Sequence, residues 1–162
     1  MSAERTIGSG SRAASAESLP PIVELNEQEC SEVIARHRMC VVAMADGEVP
    51  YAVPVYYGFD GVFLYLGVAE GRKTRVLDVN PRVHVIITEP GEGDSWRSVA
   101  IAGRATLLTD PEDRAYGIAA LIAHNRRPDR PAGSAAETQA RHRPGGRVIR
   151  IDDQVISGRA RR

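Results

Sequence analysis

Two Asp-Gly pairs, at 46–47 and 60–61, constrain the fold more than any other feature of this sequence. They separate three runs rich in β-branched and aromatic residues: RMCVVAMA (38–45), VPYAVPVYYGF (49–59) and VFLYLGV (62–68). An Asp-Gly pair between such runs is typical of a tight hairpin turn, because glycine readily adopts the positive φ that these turns need. The three runs therefore predict an antiparallel meander.

Three more strands follow from the apolar patterns in the rest of the chain. They are RVHVIITE (82–89), WRSVAIAGRATLLT (96–109) and RVIRID (147–152). Gly103 lies inside the second of these, where a bulge or bend is expected. With the meander, they predict a mainly β fold: a small closed or partly closed barrel of five or six strands.

Three helices are also predicted. Asn26 and the glutamate three residues later form a capping-box pattern for a helix that ends near Arg36. A short crossover helix lies within EGRKTRVLDVNPRV (70–83) and stops at Asn80, before a proline. Asp110 caps a C-terminal helix that has proline at its first position and two acids in its first turn. The expected buried stripe of that helix is Ala115, Ile118, Ala119, Leu121 and Ile122.

Composition divides the chain into four segments. Residues 1–20 are rich in Ser, Ala and Gly and predict a disordered leader, whereas residues 21–124 form the barrel domain. Residues 125–146 predict a linker or mobile loop. Residues 147–162 predict a final strand followed by a basic tail that frays.

The charge balance and the cysteines exclude several classes of protein. The 21 basic and 21 acidic residues cancel, so the overall charge gives no basis for binding nucleic acid or a membrane. No apolar run is long enough for a signal peptide or a membrane span. Cys30 and Cys40 form neither a ligand pair nor a disulfide framework, which favours a cytoplasmic location.

Motifs for several common chemistries are missing from the sequence. The four histidines are scattered without metal-ligand spacing, so we expect no metal site. No G-x-S-x-G, G-x-G-x-x-G or Walker A motif is present, which argues against a serine hydrolase, a Rossmann fold and a P-loop.

The crossover helix has an unusual charge distribution. Arg72, Lys73 and Arg75 stand at its start, where the helix dipole favours acidic residues, and only Glu70 is nearby to compensate. A solvated charged face is one explanation. The other is a phosphate site, because free backbone N–H groups after Gly71 would lie beside mobile positive charges. We favour phosphate binding.

Two strand segments offer further candidate ligand contacts. Pro54 lies mid-strand and cannot donate to a ladder, so it indicates either an ordinary edge strand or an unpaired backbone stretch that meets a planar ring. Tyr56 and Tyr57 point to opposite faces, so one belongs in the core and the other at the surface or an interface. Trp96 is expected in the core or an interface, and Ser98 on the same face could donate to a ligand.

The order of these parts resembles the pyridoxamine 5'-phosphate oxidase-like, FMN-binding split β-barrel family. The similarity is to the flavin-nucleotide-binding branch that includes 5-nitroimidazole resistance proteins. It rests on DGEVPYAVPVYYGFDGVFLYLG, AEGRKTRVLDVNPRVHV and SWRSVAIAGRATLLTDPED, within residues 38–124. The resemblance implies a split β-barrel of about six antiparallel strands.

The resemblance also implies a cofactor site and a partner. FMN would be held by a homodimer with flavin at the subunit interface, and a small molecule would be the substrate. The basic pair would grip the phosphate, the first long strand would line the isoalloxazine ring, and two further strands would add contacts. The residues at these positions are Arg72 and Lys73; Val53, Pro54, Val55 and Tyr56; Tyr65 and Leu66; and Ser98.

The chain departs from the true oxidases at two places. Its ending, RVIRIDDQVISGRARR, differs from theirs, and Ser98 and Ala100 stand where they carry a Gln and an Arg, which argues against vitamin B6 oxidation. The functional hypothesis is flavin-dependent redox chemistry on a small molecule, without an identified catalytic residue. The alternatives are a non-enzymatic flavin carrier or sensor, or the same barrel with deazaflavin or haem.

Overall fold

The computed structural model describes residues 19–126 and 146–162. Most of the predicted leader and most of the predicted linker lie outside these residues. The strands and helices in the described parts are β1 (Ile22–Leu25), α1 (Glu27–Arg36), β2 (Met39–Asp46), β3 (Val49–Phe59), β4 (Leu64–Val68), α2 (Arg72–Val79), β5 (Arg82–Pro90), β6 (Trp96–Leu107), α3 (Pro111–Asn125) and β7 (Arg147–Arg161).

The described strands form one antiparallel sheet that closes on itself. The strand order is β1-β7-β4-β3-β2-β5-β6, and β7 also pairs with β6. Six strands, β2 to β7, therefore make a closed barrel. The remaining strand, β1, pairs with residues 158–161 of β7, beyond the part of β7 that pairs with β4. The predicted mainly β fold is confirmed, with seven strands where about six were expected.

The predicted meander is present as β2-β3-β4. Asp46 and Val49 are paired across a two-residue turn in which Gly47 has φ 63°. In the second turn, the Asp60 carboxylate accepts the backbone N–H groups of Val62 and Phe63 at 2.8 and 2.7 Å. These turns use neighbouring residues only, which explains why the sequence located them correctly.

The prediction for the C-terminal end was wrong. The predicted strand 147–152 continues as β7 to Arg161, and the segment expected to fray pairs with β1 and β6. Ala160 is fully buried between these strands, whereas Arg159 on the opposite face is exposed. The exposed arginines make the segment look like a solvated tail, although its buried positions belong to the barrel. The short strand β1 was not predicted at all.

The buried face of α3 also differs from the predicted stripe. Of the predicted stripe, Leu121 is buried as expected and Ile118 and Ile122 are half-buried, but Ala115 and Ala119 are exposed. Gly117, which was not predicted, is buried. The helix lies very close to β3 at Gly58. A Cβ at this position would be only 2.7 Å from the backbone of Leu121. The absence of a side chain at Gly58 therefore helps to decide which face of α3 is buried. The pattern of apolar residues in α3 itself gives no information about this contact.

The barrel interior holds the main core. Tyr57 is fully buried, and its hydroxyl donates to the carbonyl oxygen of Ile34 in α1 at 2.6 Å. This bond satisfies the polar end of the largest core side chain and fixes α1 over the barrel. Within the described residues, no helix has the length and apolarity needed to cross a membrane.

Candidate functional site

An open edge along β3 forms the first part of the candidate site. β2 pairs with residues 49–56 of β3, whereas β4 pairs only with residues 57–59, so the side of residues 49–56 that faces away from β2 has no strand beside it in the described part of the chain. Tyr57 donates its N–H to Arg38, so the alternation of an antiparallel ladder directs the backbone groups of Tyr56 and Pro54 away from β2. Pro54 lacks an N–H and sits at a position where no ladder bond is lost. The unpaired backbone stretch expected at Pro54 is present, although β3 lies between β4 and β2 in the sheet and is not an edge strand.

The start of α2 forms the second part. Gly71 precedes the helix, and its N–H donates to the hydroxyl of Thr74 at 3.0 Å. That hydroxyl is buried and also lies 3.0 Å from a carboxylate oxygen of Glu70. The next backbone N–H groups have no acceptor within an α-helix, and the first turn contains no acidic residue. Positive potential therefore concentrates at this helix end.

Glu70 does not neutralise these cations, because it is bound elsewhere. Arg147 donates to Glu70 and to Asp78, both at 2.5 Å. The hydrogen bond from Arg147 lowers the pKa of Glu70, with a smaller contribution from Thr74, so Glu70 is ionised at neutral pH. One oxygen of the Glu70 carboxylate is bound by Arg147 of β7 and the other by the Thr74 hydroxyl, so both are already paired.

The two parts meet in one pocket, which we call the rim pocket. It brings Lys73 together with Pro54, Val55 and Tyr56 from the open edge of β3, in a volume of about 150 Å³. Lys73 is the only lysine of the chain. Sequence reasoning missed the remaining lining residues, which carry no recognisable motif: Met39, Gly67 and Ala69.

Arg72 points away from the rim pocket. Its guanidinium is 3.0 Å from the carboxylate of Asp46 and 4.4 Å from the ring centre of Tyr51. With Arg75, it lines a separate cavity beside the β2–β3 turn. Successive helical residues differ by about 100° around the axis, so adjacent cations can face different surroundings.

The other predicted contacts are distributed around the barrel. Leu66 is in the core, and the half-buried side chain of Val53 packs against the same core. Tyr65 lies beneath α3, where its hydroxyl donates to Asp60 at 2.9 Å. Ser98 is half-buried on β6, opposite Thr88 of β5. None of these four lines the rim pocket of this chain, and their roles as cofactor contacts stay predictions.

A cysteine lies directly beneath the rim pocket but has no reactive character. Cys40 is buried opposite Val55, and its thiol lies 3.6 Å from the Val55 carbonyl oxygen. Burial raises the pKa of Cys40 to about 12, so the thiol stays protonated at neutral pH. It supports the floor of the pocket and offers no nucleophile.

The ionisable groups of the rim pocket limit its chemistry. Lys73 and Tyr56 are its only ionisable side chains. Residues 19–126 and 146–162 contain no group of three or more His, Cys, Asp or Glu side chains placed to hold a metal ion. The pocket can bind an anion beside a flat apolar surface, and the described residues that line it include no carboxylate or imidazole for acid–base catalysis.

Comparisons with known proteins agree with this architecture. The chain is 30% identical to a FAD-binding protein from Mesorhizobium loti, with a TM-score of 0.66 over 86% of this chain and 97% of that one. A Bacteroides thetaiotaomicron protein described as a 5-nitroimidazole antibiotic resistance protein is 21% identical, with a TM-score of 0.67 over 86% and 87% of the two chains. The second likeness concerns the fold alone.

Two further proteins are similar to this chain over part of its length. A haem-binding protein from Mycobacterium smegmatis shares the fold at 21% identity, with a TM-score of 0.61 over 75% of this chain and 48% of that one. An uncharacterised protein from Rhizobium meliloti is 31% identical over 80 residues, which is 49% of this chain. The match spans about half (53%) of that relative's length.

The family is decided by the extent of one match. The family model described as pyridoxamine 5'-phosphate oxidase matches residues 26–160, which include all three helices and every strand of the closed barrel except the last residue of β7. Together with the barrel topology, this match shows that the chain belongs to the pyridoxamine 5'-phosphate oxidase family, whose neighbours in fold include flavin-binding proteins.

Proposed function

We propose that this protein binds FMN in the rim pocket and carries out flavin-dependent redox chemistry on a small molecule. The observation that carries the proposal is the shared pocket of Lys73 and the open edge of β3. A phosphate needs positive charge and free donors, which Lys73 and the first turn of α2 supply. A flat ring with a polar edge needs apolar surface beside unpaired backbone, which residues 54–56 supply.

Lys73 is the principal phosphate ligand in this proposal. Arg72 joins it by leaving Asp46, since both partners of that ion pair are about half exposed. Such exposed pairs contribute about 0–1 kcal/mol, so a phosphate dianion can compete for the guanidinium. Bound FMN would supply the electron-transfer chemistry, while the chain orients the ring and shields one face from water.

A second copy of the chain completes the site. The rim pocket holds about 150 Å³, which is less than the 300–1,000 Å³ typical of small-molecule sites. Beside it lies an apolar outer face of the barrel: Val41 is paired with Pro54 and with Ile86, and Ile86 with Ala100. Val41 and Met39 are 42% and 48% exposed, as expected of an interface. A homodimer would bury this face and enclose the flavin.

The test is a titration of the purified full-length chain with FMN, FAD and haem. We expect flavin absorbance bands in the bound form, tighter binding of FMN than of FAD, and a dimer by light scattering. A Soret band in the purified protein would show that it binds haem and would contradict the flavin proposal. A monomer that binds FMN tightly would contradict the interface site.

The single lysine allows a direct check of the phosphate contact. Reductive methylation followed by peptide mass analysis should modify Lys73 in the free protein and leave it protected when FMN is bound. Riboflavin lacks the phosphate and should give little protection. Equal modification with and without FMN would remove Lys73 from the site.

Enzyme and carrier can be separated by turnover. We expect the bound flavin to be reduced by NAD(P)H and reoxidised by a nitro compound or a quinone. Reduction without reoxidation by any acceptor would favour the alternative of a flavin carrier or sensor.

A further inference from the structure

A second cavity lies where the ends of β5, β6 and β7 meet, and we call it the Arg161 cavity. Its volume is about 400 Å³, which is within the range of small-molecule sites. It shares no lining residue with the rim pocket. The lining residues are Glu29, Glu89, Gly91, Ser95, Trp96, Arg97, Arg161 and Arg162.

Strand register places an indole beside a guanidinium in this cavity. Trp96 of β6 is directly opposite Arg161 of β7. Directly opposed residues of an antiparallel pair lie on the same face, with Cβ atoms about 5 Å apart. Both side chains are half-buried and line the cavity. The site thus has a flat apolar surface with a positive charge at its border.

The other charges of the cavity are already paired. Glu89 accepts from Arg36 at 2.8 Å, from Arg97 at 2.6 Å and from His37 at 2.9 Å. Burial raises the pKa of Glu89, but these hydrogen bonds outweigh it and lower the pKa overall, so the carboxylate is ionised. Glu29 is paired with Arg162 in the same way, and it also caps α1.

Arg161 is the exception among the three arginines that line the cavity. Its Nε is buried without a hydrogen-bond partner in the described part of the chain. A buried guanidinium donor without an acceptor is costly and is normally matched by an anion or water. Arg161 therefore brings a guanidinium with an unsatisfied donor to the cavity that Trp96 also lines.

Another part of the wall is a hydrogen-bonded turn between β5 and β6. The N–H of Gly91 donates to the carbonyl oxygen of Ser95 at 2.9 Å, and the Ser95 hydroxyl donates to the carbonyl oxygen of Glu92 at 2.6 Å. A Cβ at Gly91 would lie 2.2 Å from the Ser95 hydroxyl oxygen and 3.1 Å from the Ser95 carbonyl oxygen, so a larger residue there would have to displace the Ser95 side chain. The cavity is thus bounded by fixed backbone.

We propose that the Arg161 cavity binds a small aromatic carboxylate. The Arg161 guanidinium would hold the carboxylate by paired N–H donors, and the ring would pack against Trp96. A planar acid satisfies both features at once, whereas a bare oxyanion uses only the first. The proposal does not depend on flavin binding, because its residues are separate from the rim pocket.

Benzoate is a suitable probe, and Trp96 is a built-in reporter because it is the only tryptophan of the chain. Titration of the full-length protein with benzoate should give a saturable change in tryptophan emission, with calorimetry as an independent readout. Benzamide has the same ring without the charge and should bind at least tenfold more weakly. Cyclohexanecarboxylate has the charge without the aromatic ring and should also bind more weakly.

Variants identify the contact. Arg161→Gln should weaken benzoate binding about tenfold or more, the loss expected for a charge-assisted hydrogen bond. Arg161→Lys retains the charge but not the paired donors, so its loss should be intermediate. Arg104→Gln is the matched control, since this exposed arginine of β6 lies outside the cavity and makes the same change in net charge. Lys73→Ala should leave benzoate affinity unchanged.

Four results would overturn the proposal. They are the absence of saturable benzoate binding in both assays, equal binding of benzamide and benzoate, inorganic phosphate binding as tightly as benzoate, and equal losses in Arg161→Gln and Arg104→Gln. Because Lys73→Ala should weaken FMN binding but leave benzoate affinity unchanged, failure here is distinguishable from failure of the flavin proposal.

Discussion

Helices α2 and α3 begin in opposite ways. At α3 the Asp110 carboxylate accepts the backbone N–H groups of Glu112 and Asp113 at 2.9 and 3.1 Å, and acidic side chains fill the first turn. At α2 the residue before the helix is Gly71, the first turn contains no acid, and Lys73 faces the rim pocket. The start of α3 has acceptors for its backbone N–H groups from its own residues, whereas the start of α2 has no such side-chain cap.

This difference separates a structural helix start from a binding one. A capped start gains stability from residues adjacent in the chain and needs no ligand. An uncapped start beside a cation gives up that stability and gains affinity for an anion. In this protein the uncapped helix is the one that adjoins an open sheet edge, which is why we assign the phosphate to α2.

The largest expected effect is on cofactor affinity. Lys73→Ala should weaken FMN binding by about 1–3 kcal/mol, the range for a lost hydrogen bond to a charged group. Arg75→Ala is the matched control, because Arg75 is a cation of the same helix that lines the other cavity. Isothermal titration calorimetry measures both. Equal losses in the two variants would mean that only general charge matters.

The next effect concerns stability at the capped helix. Asp110→Ala should lower the free energy of unfolding by about 1 kcal/mol, because two N–H groups at the start of α3 lose their acceptor. FMN affinity should not change. Urea denaturation of the free protein provides the measurement. Gly71→Ala serves for comparison, since its Cβ would meet nothing within 4 Å and α2 has no side-chain cap to lose.

A smaller effect is expected from a substitution that gives the start of α2 the same kind of cap as the start of α3. Gly71→Asp would give α2 the carboxylate cap that α3 has, so unfolding of the free protein should cost about 0.5 kcal/mol more. The same carboxylate would occupy the anion position, and FMN affinity should fall. Denaturation and calorimetry on one preparation test both signs. A variant that is stabilised and still binds FMN normally would break the link between capping and binding.

The smallest effect is a pH dependence beneath α3. Burial raises the pKa of Asp60, but hydrogen bonds outweigh it and lower the pKa below its ordinary value. Asp60 therefore stabilises the fold above its unfolded-state pKa of about 4, and this contribution is lost as the pH falls through the lower folded value. The donors are the N–H groups of Val62 and Phe63 and the phenols of Tyr65 and Tyr116.

The effect of Asp60 should be modest because the side chain is largely exposed and solvent screens it. Asp60→Asn should flatten the acid side of the stability curve below about pH 4. Asp94→Asn, in an exposed loop, provides the control. Urea midpoints measured from pH 3 to 7 would test this, and an unchanged acid slope in Asp60→Asn would contradict it.

Sequence reasoning succeeded where neighbouring residues decide the structure. The bounds of β3 were predicted correctly between its two Asp-Gly turns, and the Asn26 capping box is present in α1. It failed for β7, because pairing with β1 and β6 depends on segments far away in the chain. For α3 it was correct at Leu121 but wrong at Ala115 and Ala119, because the close approach of the helix to Gly58 helps to select the buried face.

The candidate site divides in the same manner. The sequence identified Lys73 and the strand containing Pro54 as ligand contacts, since a misplaced cation and a mid-strand proline are visible locally. The sequence treated Arg72 as equivalent to Lys73, whereas the structure pairs Arg72 with Asp46 at the β2–β3 turn. Met39, Gly67 and Ala69 carried no signal because their role is only to surround the pocket.

The sequence by itself determined the turns, the caps and the strand content, because these depend on backbone preferences and hydrogen bonds within a few residues. Only the tertiary structure decided which distant residues meet. Pairing of β4 with β3 brings Lys73 to the edge beside Pro54, and the β6–β7 pairing that closes the barrel places Arg161 opposite Trp96. The physical reason is register: long-range strand pairing sets these neighbours, and no local preference encodes it.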